Sequence, residues 1–197
     1  LPYRAGSANK YEVAWESSSD QVKISGYGWS DYAGAVTRTA SDRQVTLTAT
    51  VNLLPNAGGD STNVTGTHAF DITVKGDPDK VAAEKAALQK KVDAGFTYDN
   101  VKYSGGNSVA DKDGLSDDLQ MPTTRALGVD GKYYKIEYSA SADHVSFNGY
   151  KGTVYQPQPG ESAAATSITL TITDKSNPEI TASKTLDYQV KPLDQEN

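Results

Sequence analysis

The feature that most limits what this chain can fold into is an internal repeat. One copy reads Tyr11-Glu12-Val13-Ala14-Trp15-Glu16-Ser17-Ser18-Ser19-Asp20-Gln21-Val22-Lys23-Ile24. The other reads Tyr134-Lys135-Ile136-Glu137-Tyr138-Ser139-Ala140-Ser141-Ala142-Asp143-His144-Val145-Ser146-Phe147. Three further blocks match in the same order. Leu1-Pro2 faces Met121-Pro122, the Val45-Thr46-Leu47-Thr48-Ala49 block faces Ile168-Thr169-Leu170-Thr171-Ile172, and Phe70-Asp71-Ile72-Thr73-Val74 faces Leu186-Asp187-Tyr188-Gln189-Val190. Repetition at this length means two copies of one structural unit. In 197 residues each unit has about 100, the size of a small domain.

The repeated blocks alternate with period two, the mark of a strand with one buried face. Tyr11, Val13 and Trp15 point one way. Val45, Leu47, Ala49 and Val51 share one face of the next block, with Thr46, Thr48 and Thr50 opposite. Threonine suits an exposed pleated face because it is β-branched and polar. Short strands between Gly-, Pro- and Asn-rich turns predict antiparallel sandwiches, with Trp15 and Tyr138 as core residues. One stretch differs. Asp77 is a helix cap, Pro78 fits the first helical position, and residues 77–94 read as a helix with Val81, Leu88 and Val92 on one face. Gly95 is expected to stop it.

Composition removes several functions. A net charge of −6 and a pI near 4.9 lack the basic footprint of a nucleic-acid binder. Without cysteine there is no thiol catalysis, disulfide framework or Cys-based zinc site. The sequence has no apolar run of the roughly 18 residues that span a bilayer. Abundant Thr, Ser, Tyr, Asn and Gly point to an extracellular setting, secreted or on a bacterial cell surface. The Leu1-Pro2 start reads as a cut-out of a longer chain or as a processed form.

These blocks together form a pattern. An Ala-rich helix starts near Asp79. An Asp118-Leu119-Gln120-Met121-Pro122 step follows, then a strand ending in an aromatic residue before Ser and Asp. Gly34-Ala35-Val36 and Gly152-Thr153-Val154 read as turns before the Thr-rich strands. The pattern resembles the atrophied bacterial immunoglobulin-like domains that occur in tandem on secreted and surface proteins. The resemblance implies a mainly β protein, with two immunoglobulin-like antiparallel β-sandwiches in tandem and one α-helix between them. The first unit takes residues 1–76 and lacks its helix; the second takes 77–197. It also implies a non-catalytic accessory module that positions neighbouring domains of its parent chain.

Three places hold candidate chemistry. The loop Gly26-Tyr27-Gly28-Trp29-Ser30-Asp31-Tyr32 carries Tyr27, Trp29 and Tyr32 between glycines, a set able to stack on the C–H faces of a polysaccharide or host glycan; the plainer reading packs these rings on their own sandwich. If the Gly-x-Val segments align, the loop is an insert, since Ile24 to Val36 takes twelve steps and Phe147 to Val154 seven. An ungapped alignment instead sets Tyr27 against Tyr150 and Tyr32 against Tyr155. The acidic run Asp111-Lys112-Asp113-Gly114-Leu115-Ser116-Asp117-Asp118 offers Asp111, Asp113 and Asp117 to Ca²⁺, but Leu115 stands where a ligand is needed and no bidentate Glu follows. His68 and His144 lie at non-equivalent positions and read as surface histidines. No carboxylate pair has a context for acid–base work, so the expected reading is not an enzyme and needs no cofactor.

Overall fold

The computed structural model describes residues 1–5, 11–26, 31–53, 64–109 and 112–195, apart from the side chains of Val64 and Thr65. The chain divides into two compact units, Leu1–Lys80 and Val81–Asn197. The first holds β1 (Arg4–Ala5), β2 (Tyr11–Ser17), β3 (Val22–Ser25), β4 (Ala33–Val36), β5 (Arg43–Leu53) and β6 (Val64–Val74). One antiparallel sheet runs β1-β2-β5-β6, and β3-β4 forms a second. The alternation read from the sequence decides what lies between them. Val22 comes from the two-stranded sheet and Val45, Leu47 and Val74 from the four-stranded one, with Trp15, Ile24 and Ile72 packed around this core. Sheet-on-sheet burial of one residue in two defines a β-sandwich.

Next come α1 (Pro78–Gly95), a 3-10 turn (Tyr98–Asn100), β7 (Lys102–Tyr103) and β8 (Leu119–Gln120). They are followed by β9 (Tyr134–Ala140), β10 (Val145–Asn148), β11 (Lys151–Val154), β12 (Ala164–Asp174) and β13 (Thr181–Val190). Here a β13-β12-β9 sheet is accompanied by a four-stranded β10-β11-β8-β7 sheet. Ile168, Leu170 and Ile172 on the middle strand are fully buried. Each contributes about 1.5–3 kcal/mol relative to exposure. The protein is therefore mainly β, with two antiparallel β-sandwiches and an α-helix.

The helix starts as its sequence dictates. The Asp79 N–H donates to Asp77 Oδ1 at 3.1 Å, a capping bond, and Pro78 opens the first turn. Leu88 and Val92 are buried, and Val81 is half-buried. The helix stops at Gly95, as expected. The need for glycine there is spatial. A Cβ there would lie 2.8 Å from Leu127 Cδ2 and 3.2 Å from Leu127 Cα.

Two readings are corrected. Gly34-Ala35-Val36 and Gly152-Thr153-Val154 are strand, not turn: Gly34 pairs with Ile24 in β4–β3, and Gly152 with Phe147 in β11–β10. The loop before them has seven residues (26–32) in one unit and two, Gly149-Tyr150, in the other. Gly149 takes φ 61°, the left-handed conformation that a two-residue hairpin requires. The second correction concerns the repeat itself. The Ser18 N–H donates to the Thr46 carbonyl at 3.0 Å, and the Thr46 N–H to Ser18 Oγ at 2.9 Å. Ser141 and Ser167 do the same at 2.9 and 2.8 Å. Thr46 therefore corresponds to Ser167, and Leu47 to Ile168, two residues from the sequence alignment. A shift of two keeps every side chain on its face, so periodicity cannot detect it.

Gly34 and Gly152 occupy equivalent positions in different surroundings. A Cβ at Gly152 would meet Phe147 Cε1 at 2.8 Å and Leu119 Cβ at 3.3 Å, while among the described residues one at Gly34 meets only Val22 Cγ1, at 3.9 Å. Gly152→Ala is expected to lower stability by about 1–3 kcal/mol through overpacking, and Gly34→Ala to leave it within about 0.5 kcal/mol. Urea unfolding of the two variants checks this.

Candidate functional site

Equivalent polar contacts support the two aromatic strands. Trp15 Nε1 donates to the Pro2 carbonyl at 2.9 Å, and Tyr138 Oη to the Pro122 carbonyl at 2.7 Å. On the adjoining strands Thr46 Oγ1 donates to Asp71 Oδ1 at 2.7 Å, and Ser167 Oγ to Asp187 Oδ1 at 2.6 Å. Trp15 and Tyr138 thus bury a ring against the core while the polar tip ties down the segment that precedes the strand. Burial raises the Tyr138 phenol above its ordinary value, with Tyr150 adding to the shift.

Of the aromatic loop, Tyr27 and Trp29 lie outside the described residues. Tyr32 is half-buried and held to the N-terminal segment. Its N–H donates to the Leu1 carbonyl at 2.8 Å, and its carbonyl accepts from the Leu1 ammonium at 2.7 Å. Its ring lies 6.2 Å from that of Tyr3, and the neighbouring Asp31 Oδ1 accepts the Tyr3 N–H at 3.0 Å. In the other unit the Met121 N–H donates to the Tyr150 carbonyl at 2.8 Å. Tyr32 therefore corresponds to Tyr150, which selects the gapped alignment and makes the loop an insert.

A different aromatic cluster is exposed. Phe70 on β6 is 43% exposed. It lies 5.7 Å from the half-buried Trp15, and the His68 ring meets it edge-on at 4.5 Å. His68 lies inside β6, opposite Ala49 on β5. Beside it Tyr11, Val51, Gly66, Thr67 and His68 line an open hollow of ≈ 430 Å³. The sequence signal was the continued alternation of Val64, Gly66, His68 and Phe70 ahead of the expected strand start. A second hollow of ≈ 490 Å³ runs along Trp15, Ser17, Val22 and Ile24. A third, of ≈ 400 Å³, is lined by Lys132, Tyr133, Tyr134, Asp174, Lys175 and Ser176.

The acidic run is tied up locally. Asp113 Oδ1 lies 3.2 Å from Lys112 Nζ, Asp117 Oδ1 accepts the Asp118 N–H at 2.7 Å, and Asp118 Oδ1 accepts the Val154 N–H at 2.9 Å. Asp111 lies outside the described residues. Among the described residues no group of three or more His, Asp or Glu is arranged to hold a metal ion. His144 Nδ1 lies 3.0 Å from the Tyr155 carbonyl, in the turn after β9. Asp42 closes a corner of the first unit. Lys75 Nζ bonds Oδ2 at 2.7 Å and the Gly76 N–H bonds Oδ1 at 2.8 Å. These two contacts, the lysine first, hold its carboxyl below the usual aspartate value.

No protein-family model matches the sequence, and no curated protein matches it. Among solved structures, the zebrafish RET cadherin-like domains 1 to 4 resemble it at 11% identity and a TM-score of 0.25 over 93% of this chain. The chain spans 41% of that structure's length. Among the described residues no helix is long and apolar enough to cross a membrane.

Tyr138→Phe removes the bond to Pro122 and is expected to cost about 1 kcal/mol. The buried Tyr188 hydroxyl has no hydrogen-bond partner among the described residues, so Tyr188→Phe is expected to be neutral or stabilising; thermal unfolding separates the two. Asp42 is the pH-dependent case. Its folded value is depressed, so its contribution is complete above the unfolded aspartate pKa of about 3.9 and is lost as pH falls through the lower folded value. Asp42→Asn should flatten that part of the stability–pH curve and lower stability above it by what the carboxylate contributed; urea unfolding across pH checks this.

Proposed function

We propose that this chain is a non-catalytic immunoglobulin-like accessory module of the atrophied bacterial kind, a spacer that positions neighbouring domains of a larger secreted or cell-surface protein. The observation that supports it is the duplicated scaffold. The same serine bracket, aromatic-to-proline bond and Ser/Thr-to-Asp bond occur in both units. What the two copies retain in common is architecture. The loops, where binding residues usually sit, are where they differ. The resolved pKa shifts also have structural causes. Asp42 is set by its ion pair, Tyr138 and Tyr188 chiefly by burial, and Tyr134 by burial with Asp174 and Glu84 adding to it.

A spacer has to bear load through each unit separately. Pulled between marker domains in a force-spectroscopy experiment, the chain is expected to unfold in two steps, releasing about 28 nm and about 40 nm of contour. A screen against polysaccharides and host glycans is expected to show no saturable binding. Binding that disappears in Trp29→Ala with an unchanged circular dichroism spectrum would replace the spacer with an adhesin-like module using the inserted loop.

A further inference from the structure

The two units differ at one edge. In the second unit β11 is paired on both sides: β10 on one, and β8 on the other through Gly152–Leu119 and Lys151–Gln120. In the first unit β4 pairs with β3, and among the described residues no strand lies on its other side. All four β4 residues are exposed, and Val36 is 57% exposed. The direction of the free amides follows from the ladder. Thr37 N–H donates to the Gln21 carbonyl at 2.7 Å. Antiparallel bonding alternates along a strand, so Ala35 faces β3 while the N–H groups of Gly34 and Val36 face outward.

The second unit shows what such an edge takes. The Val154 N–H, equivalent to that of Val36, is capped by Asp118 Oδ1 at 2.9 Å. Leu119 then lies against Gly152, within 3.3 Å of where a Cβ would be. The strand continues into Met121, whose N–H bonds the Tyr150 carbonyl. The Leu1 ammonium makes the corresponding bond to the Tyr32 carbonyl, so its backbone already points along the free edge. The inner face tells the same story. Phe70 is 43% exposed, whereas its counterpart Leu186 is 6% exposed. Beside Leu186, the helix that precedes β8 is fixed to β13 through Lys184 Nζ on the Asp93 carbonyl at 2.9 Å and Gln89 Nε2 on the Ser183 carbonyl at 3.0 Å.

We propose that the outer edge of β4 is a strand-acceptor site. Its occupant is an extended segment with an acidic-then-apolar step, like Asp118-Leu119, that runs antiparallel to β4 and enters beside Leu1. The acidic side chain caps the Val36 N–H, and the apolar one packs on Gly34. Main-chain bonds supply the affinity and these two side chains the register, as in strand addition generally.

The test joins a copy of residues 78–120 of this chain ahead of Leu1 and reads amide hydrogen exchange by NMR. Exchange at Gly34 and Val36 is expected to slow by about 100-fold or more, as for amides moved from an open edge into a ladder. A scrambled segment of the same length should leave both rates unchanged. Val36→Pro removes only an outward N–H, a change that edge strands tolerate. In the extended chain it should return Gly34 to its fast rate, while Ala35 stays protected and reports an intact β3–β4 ladder. Unchanged Gly34 and Val36 rates with the native copy overturn the proposal. So does protection of these amides in the unextended chain that rises with concentration alongside a dimer, because the edge would then take a second copy.

Discussion

A sheet with one apolar face has to have that face covered, and the two units of this protein meet the demand to different extents. The β12–β13 ladder buries Ile168, Leu170, Ile172, Leu186 and Tyr188. A four-stranded sheet accompanies it, while Phe96 and the 3-10 turn bring rings to Tyr138 at 5.8 Å and Tyr188 at 5.3 Å. The β5–β6 ladder has the same alternation, but among the described residues its companion is the β3–β4 pair. Val45, Leu47 and Val74 are buried beneath it, and exposure rises along β6 to Phe70 and His68. The exposed aromatic cluster, the open hollow beside it and the free edge of β4 all follow from this one difference in cover.

The polar brackets solve a second problem. A strand with a hydrophobic pattern of period two can slide by two residues without exposing its core. The Ser18–Thr46 and Ser141–Ser167 bonds pin the middle strand, and the Asp71 and Asp187 carboxylates pin the next one to it. Such bonds give little net stability, about 1 kcal/mol each, yet they distinguish one register from another where burial cannot. Both units have them even where the buried residues differ in size, as between Ala49 and Leu170.

Much of the fold was legible from residues alone. The repeat, the strand faces, the helix start at Asp77-Pro78 and the core roles of Trp15 and Tyr138 come from periodicity and capping chemistry, which are local. The Gly-x-Val segments misled because glycine marks a turn in most sequences. Here Gly152 is a strand residue kept small by Phe147 and Leu119, neighbours that no local window contains. Gly95 does end the helix, but the close approach of Leu127 that also requires glycine there comes from far along the chain. Candidate sites were less legible. The main chain of Tyr32 bonds Leu1, a contact that no local window contains, while Phe70, taken for one more strand residue, is among the exposed rings. Exposure depends on what packs above a residue, and that is set by other elements.

What the sequence by itself determined is the two-fold repetition, the β class and which face of each strand is apolar, because these depend on the alternation of side chains along a pleated chain. Only the tertiary structure decided the register between strands, the insertion of the aromatic loop and which apolar faces and edges stay open. Those depend on pairing and cover between segments distant in sequence, and a shift of two or a missing neighbouring strand leaves no trace in the local pattern.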